Sequence, residues 1–138
     1  MSKTDENLMK AFAGESQANR KYLAYAQRAD KEGYTQIAKL FRAAAEGETI
    51  HALAHLSKTG KVGSTEENLK DAISGETYEF EDMYPQMIAD AKEEGNDSAR
   101  VGFECTLLCL LFEHKLDIFY LPATLQQRPS LNFHQFLT

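Results

Sequence analysis

The sequence predicts an all-α protein, a four-helix bundle built from two copies of one helical hairpin. Apolar residues recur at helical spacing through the first hundred positions, and a motif near Thr4 returns near Thr65. Valine is scarce and no Asn-Gly or Asp-Gly pair is present, so strands have little support. The 138 residues, 43% hydrophobic and 26% charged, are enough for one globular domain with a core.

The helix ends are marked by caps and glycines. We expect Thr4 to cap the first helix, with Asp5 in its first turn, and Gly33 to end it. Pro85 predicts a kink or a short interruption near Tyr84. The predicted helices span about 4–32, 34–57, 65–94 and 97–120. The bundle should then cover residues 1–121, and residues 122–138 should form an irregular tail.

An internal duplication supports this architecture. The segment Thr4–Leu8 recurs as Thr65–Leu69 at an offset of 61 residues, and Gly33 recurs as Gly95 at an offset of 62. Each glycine joins a pair of helices, so each copy is a helical hairpin. Two such hairpins make a four-helix bundle.

Charge and composition exclude several classes of function. The net charge of -6 argues against a nucleic-acid partner. The opening residues do not resemble a secretion signal, and the longest apolar run, Leu107–Phe112, is too short to span a membrane. We expect a cytoplasmic protein with no membrane partner. Cys105 and Cys109 cannot form a disulfide framework and are expected to be buried thiols.

Several acids fall on faces that should point inward. Glu15 and Glu76 are equivalent in the repeat, and Glu48 with His51, like Glu76 with Glu79, are three residues apart on one helix. One acid on a core stripe usually lies at its edge, but several placed by symmetry need compensating charge. Two iron or manganese ions would supply that positive charge. Carboxylate and imidazole ligands on facing helices are the ligand pattern of ferritin-like bundles.

The same segments resemble the rubrerythrin family. Residues 11–20, Ala-Phe-Ala-Gly-Glu-Ser-Gln-Ala-Asn-Arg, resemble its first helix, and Glu48-x-x-His51 and residues 75–85 are similar to its second and third helices. Rubrerythrins are ferritin-like di-iron proteins that reduce hydrogen peroxide to water. The resemblance implies two bound iron ions and site-lining tyrosines at Tyr22 and Tyr84. It implies these iron ligands: Glu15, Glu48, His51, Glu76 and Glu79.

The resemblance also has consequences for electron supply. Family members often carry a rubredoxin domain with paired Cys-x-x-Cys motifs, and this chain has none. Electrons would therefore come from an external donor such as a rubredoxin-type protein.

Both the repeat and the resemblance fail after about residue 104. The repeat maps Glu48 to Leu110 and His51 to Glu113, so the second Glu-x-x-His is missing. Residues 103–138 also hold 9 Leu and 1 Ala, against 6 Leu and 16 Ala before them. Three explanations stay open: a change of reading frame, a diverged paralogue with a defective or one-metal site, or coordination by Glu113.

The functional prediction is a di-iron peroxidase, with two alternatives. One is a ferritin-like metal-binding or storage protein without turnover, in which manganese or partial occupancy is allowed. The other is a metal-free helical association module.

A domain-swapped homodimer is also expected. A second helix of about 24 residues is roughly 36 Å long. The seven residues 58–64 reach about 25 Å at most, too short for a crossover along the bundle. Exchange of hairpins between two chains removes this conflict.

Overall fold

The computed structural model describes the backbone of residues 2–124 and the side chains of residues 2–111. No strand occurs in this part of the chain, so the all-α prediction is confirmed. The π-helical segment Glu79–Met83 joins α3 to α4 without a break, which gives four long helical stretches. The helices are α1 (Lys3–Lys31), α2 (Thr35–Ser57), α3 (Thr65–Tyr78), α4 (Tyr84–Glu93) and α5 (Asp97–Thr124).

The chain divides into two compact units at Thr65. The first unit is the hairpin of α1 and α2, and the second contains α3, the π segment, α4 and α5. This division coincides with the two copies of the repeat. The duplicated-hairpin prediction is thus confirmed within each unit.

The N-cap of the first helix is Ser2, two residues before its predicted position at Thr4. The Ser2 hydroxyl accepts the Asp5 N–H at 3.2 Å, and the Asp5 carboxylate accepts the Ser2 N–H at 2.9 Å. These bonds lower the pKa of Asp5 below its ordinary value. The predicted Thr4 cap was wrong because a capping box needs a partner three residues on. Ser2 has Asp5 there, whereas Thr4 has Asn7.

Glycines terminate the helices as expected. Gly33, Gly60 and Gly95 have φ angles of 84°, 69° and 69°, in the left-handed region that glycine enters at low cost. Gly33 and Gly95 follow α1 and α4 directly after one C-cap residue. The repeat-equivalent glycines therefore play the same structural role.

The π segment accounts for the change in repeat offset from 61 to 62. One extra residue must lie between Thr77 and Glu93, and Glu79–Met83 falls inside that interval. The Tyr84 N–H bonds to the Glu79 carbonyl, the five-residue spacing of a π turn. The predicted disturbance near Tyr84 is confirmed in position, but its form is a widened turn beside Pro85 rather than an interruption.

Downstream of the extra residue, positions 62 residues apart have matching environments in the two units. Ala26 and Ala29 are buried in the first unit, as are their equivalents Ile88 and Ala91 in the second. The Tyr22 and Phe41 rings lie 6.2 Å apart between centroids. Their equivalents, Tyr84 and Phe103, are also 6.2 Å apart.

Alanines let α1 and α2 approach closely. Ala26, Ala29, Ala38, Ala45 and Ala52 are all buried. Each presents only a methyl group at the interface, so the two backbones can pack tightly.

In the second unit, ion pairs join α4 and α5. Arg100 bonds Glu104 at 2.7 Å within α5, and Lys92 of α4 lies 3.8 Å from the same carboxylate.

The fourth helix differs from its prediction in two respects. It continues to Thr124, past the predicted end at Tyr120, so Pro122 costs one hydrogen bond of the last turn without ending the helix. Cys105 and Cys109 are exposed, so the expectation of buried thiols was wrong. They lie on a face that α4 does not cover, whereas Leu110 is buried.

The run Leu107–Phe112 is compatible by sequence with helix or strand, and the structure shows helix. Leu108 within it is 57% exposed, so the run is not buried on every side of the helix.

Within the described residues, no helix has the length and apolar character needed to cross a bilayer. Most of the expected tail, residues 125–138, lies outside the described residues.

Candidate metal centre

Three of the predicted ligands converge in the first unit. Glu15 lies in the middle of α1, and Glu48 and His51 lie one turn apart on α2. One potential ligand atom from each side chain lies within 4.8 Å of the other two. This distance is short enough for one ion to be shared after small side-chain rotations.

A polar clamp fixes how the two helices meet at this point. The Asn19 side-chain amide donates to the Ala45 carbonyl at 2.7 Å and to the Thr49 hydroxyl at 2.8 Å. Asn19 lies one turn after Glu15, and Thr49 directly follows Glu48. The clamp therefore holds the axial register that brings the two carboxyl groups together.

The carboxyl groups of Glu15 and Glu48 perturb each other. A hydrogen bond to Glu48 is the main reason that the pKa of Glu15 is raised above its ordinary value, and partial desolvation adds to the rise. The nearby imidazoles of His51 and His55 act in the opposite direction. The proximity of Glu48 thus favours the protonated form of Glu15.

The donor set fits a divalent transition metal. Glu48 Oε2 is buried without a hydrogen-bond partner and lies 3.5 Å from His51 Nδ1. A buried carboxylate oxygen with no partner is costly, and a bound cation is one way to satisfy it. Mixed carboxylate and imidazole donors suit iron or manganese. The Glu48 side chain is 19% exposed and that of His51 is 59% exposed, so the site opens on the histidine side.

The other predicted ligands belong to the second unit. Glu76 is exposed on α3, and Glu79 is half-buried as the first residue of the π segment. The side chain of Glu113 lies outside the described residues. Whether these three join Glu15, Glu48 and His51 stays a prediction.

The position that should supply the second Glu of the motif carries a buried apolar group. Leu110, the repeat equivalent of Glu48, is 7% exposed and faces the interior of its unit. A leucine has no ligand atom, so this position cannot contribute to a metal site.

The tyrosines expected to line the site make aromatic contacts. Tyr22 lies 6.1 Å from Tyr25 and 6.2 Å from Phe41 between ring centroids, and Tyr25 meets Phe41 edge-on at 5.4 Å. Tyr84 packs near Phe103. Both predicted tyrosines are half-buried. Their role at a metal site stays a prediction.

Two residues near the site were missed by sequence reasoning. His55 lies near Glu15, and its spacing of four residues from His51 on one helix face could have revealed it. Asn19 gave no sequence signal. Its partners lie on the other helix of the hairpin, so its role becomes apparent only once the register between the two helices is known.

Helical hairpins that bring carboxylate and histidine side chains together are typical of ferritin-like metal proteins. A family model described as Rubrerythrin matches residues 6–107. The chain belongs to the rubrerythrin family. The predicted resemblance is confirmed, and the family model ends close to the predicted break near residue 104.

Curated relatives agree with this assignment. The chain is 44% identical over 107 residues to the rubrerythrin of Porphyromonas gingivalis, covering 68% of this chain and 54% of that one. It is 43% identical over 110 residues to the nigerythrin of Nitratidesulfovibrio vulgaris, covering 70% and 54%. It is 39% identical over 119 residues to rubrerythrin-1 of Clostridium acetobutylicum, covering 74% and 61%. The chain thus matches between half and two thirds of these relatives' lengths.

Solved structures of nigerythrin are also similar. The fully reduced, all-ferrous state of nigerythrin shares 32% sequence identity at a TM-score of 0.44, over 94% of this chain and 71% of that one.

Proposed function

We propose that this protein is a non-haem di-iron peroxidase, which reduces hydrogen peroxide to water with electrons from a separate donor. The overall reaction consumes one peroxide, two electrons and two protons, and yields two waters. The observation that supports it best is the cluster of Glu15, Glu48 and His51 around a buried, unpartnered carboxylate oxygen, in a member of the rubrerythrin family.

The residues of the first unit have separate tasks in this proposal. Glu48 and His51 hold the cation from one helix, and Glu15 adds a carboxylate from the other. Iron, when bound by these residues, would supply the two electrons for peroxide reduction. A bound cation would favour the ionised form of Glu15, opposing the effect of Glu48, which raises the pKa of this carboxyl group. The open side at His51 gives a small substrate access.

The complete site in this proposal draws on both hairpins. Six side chains would hold the iron: Glu15, Glu48, His51, Glu76, Glu79 and Glu113. The second ion would be bound less tightly than the first, because Leu110 stands where the repeat requires a carboxylate. Each hairpin comes from a different chain of a domain-swapped homodimer. Two features support the swap: the seven-residue link between α2 and α3, and the large apolar side chains of Leu40, Ile50 and Leu53, each more than half exposed on α2. The expected cytoplasmic location belongs to this proposal as well.

Metal analysis and peroxide turnover test the proposal on one preparation. Protein loaded with ferrous iron under anaerobic conditions should hold iron and consume peroxide when a reduced rubredoxin is supplied. Glu48→Ala should lower both quantities. Glu46→Ala is a matched control, because Glu46 is an exposed acid on the same helix. Equal metal content in wild type and Glu48→Ala would refute the site.

A second candidate function, metal binding or storage without turnover, is favoured by one observation. Leu110 is buried where the repeat requires a ligand, so the site lacks one of its carboxylates. Iron uptake without peroxide consumption would select this alternative. Absence of metal binding under all loading conditions would instead select an association module.

A further inference from the structure

Two buried side-chain atoms lack a hydrogen-bond partner among the described residues, Glu48 Oε2 and His55 Nδ1. Both residues lie on α2, seven positions apart, and so on the same face of the helix. The metal site described above accounts for the first atom. It leaves the second unexplained, and an unsatisfied buried nitrogen points to a missing partner.

The position of His55 relates it to the same site. It lies one turn after His51, and histidines four residues apart on a helix can bind one metal ion, as in zinc metalloproteases. It also lies near Glu15 across the hairpin, close enough for its charge to affect that carboxyl group. His55 is thus flanked by two of the three clustered ligands.

We propose that His55 is a further metal ligand, which binds through Nδ1 an ion shared with Glu15 and His51. This inference rests on the proposed function. His55 is outside the 4.8 Å cluster, so binding draws its ring towards Glu15 by side-chain rotation. The first hairpin then carries four donors, two carboxylates and two imidazoles, a set suited to divalent iron, zinc or cobalt.

The proposal gives this chain a way to retain metal despite Leu110. A site held by α1 and α2 alone does not depend on the fourth helix, where the repeat has lost its carboxylate and imidazole. The first ion is bound by one hairpin, whatever the second hairpin contributes.

Nuclear magnetic resonance of the full chain labelled with ¹⁵N-histidine tests this inference without a variant at His55. Zinc is the probe, because it is diamagnetic and does not oxidise. The proposal expects the His51 and His55 side-chain nitrogens to shift together and to saturate at the same zinc equivalent. Movement of His51 while His55 keeps its apo shifts would overturn the assignment of His55 and leave the proposed function intact.

Zinc affinity, measured by competition with a chromophoric chelator, provides a second readout. His55→Gln should weaken binding by about tenfold or more, within the range seen when a metal site loses a supporting group. Lys58→Gln, an exposed change nearby on the chain, should leave the affinity unchanged. If Glu48→Ala weakens binding and His55→Gln does not, only the His55 inference fails. If neither variant changes the affinity, both proposals fail.

Discussion

Asn19 of α1 is bonded to Thr49 of α2, with its amide nitrogen 2.8 Å from the threonine hydroxyl. The same nitrogen donates to the Ala45 carbonyl, which also accepts the Thr49 hydroxyl at 3.2 Å. Three polar groups are therefore satisfied in one half-buried clamp. Since Glu15 and Glu48 lie within one turn of it, the clamp couples helix packing to the geometry of the candidate site.

Asn19→Ala should destabilise the apo protein. It removes the donor for two acceptors, and loss of a partner for half-buried polar groups costs about 1–3 kcal/mol in free energy of unfolding. Urea denaturation measures the change. Asn7→Ala, at an exposed position of α1, is the control and should have a much smaller effect. Equal midpoints for the two variants would show that the clamp contributes nothing to stability.

The pH dependence of apo stability should report on Glu15. Its pKa in the folded state is raised above the ordinary value of 4.5, so its protonated form is favoured by folding. The resulting stabilisation is fully present below pH 4.5 and is lost as the pH rises through the raised pKa. Glu15→Gln should remove this decline. Thermal melts of the metal-free protein at a series of pH values test it, and an unchanged slope in Glu15→Gln would contradict the assignment.

Repair of the second Glu-x-x-His should increase metal content. The double variant Leu110→Glu with Glu113→His restores the residues that the repeat requires, and it should raise bound metal and peroxide consumption together. The wild-type chain is expected to hold fewer than two tightly bound ions per site. Elemental analysis and peroxide assays measure both. If wild-type protein already holds two irons with full turnover, the repeat alignment of α5 is wrong.

Domain swapping can be tested by complementation. Light scattering should find a dimer. Glu15→Ala and Glu76→Ala chains are mixed, unfolded and refolded together. Each swapped heterodimer should then regain metal at one site, which combines the intact first hairpin of the Glu76→Ala chain with the intact second hairpin of the Glu15→Ala chain. Each variant refolded alone is the control and should remain deficient. A metal-loaded monomer would exclude the swap.

Much of the architecture could be predicted because helix periodicity and terminal glycines are local signals. Glu48 and His51 could be paired for the same reason, since helix geometry alone makes neighbours of residues three apart. The exposure of Cys105 could not, because it depends on which face of α5 meets α4. His55 was also missed: its spacing of four residues from His51 was an available sequence signal, but the burial of its unpartnered ring nitrogen depends on how the helices pack.

The widened turn at Glu79–Met83 also bears on how this chain tolerates change in length. One added residue in a regular helix rotates every later side chain by about 100°, which would turn Ile88 and Ala91 away from the interior. Here the five-residue π segment takes up the added residue. Ile88 and Ala91 are therefore buried, as are their repeat equivalents Ala26 and Ala29. A helix can therefore take up one additional residue in a π turn, here next to Glu79, without changing which side chains are buried further along.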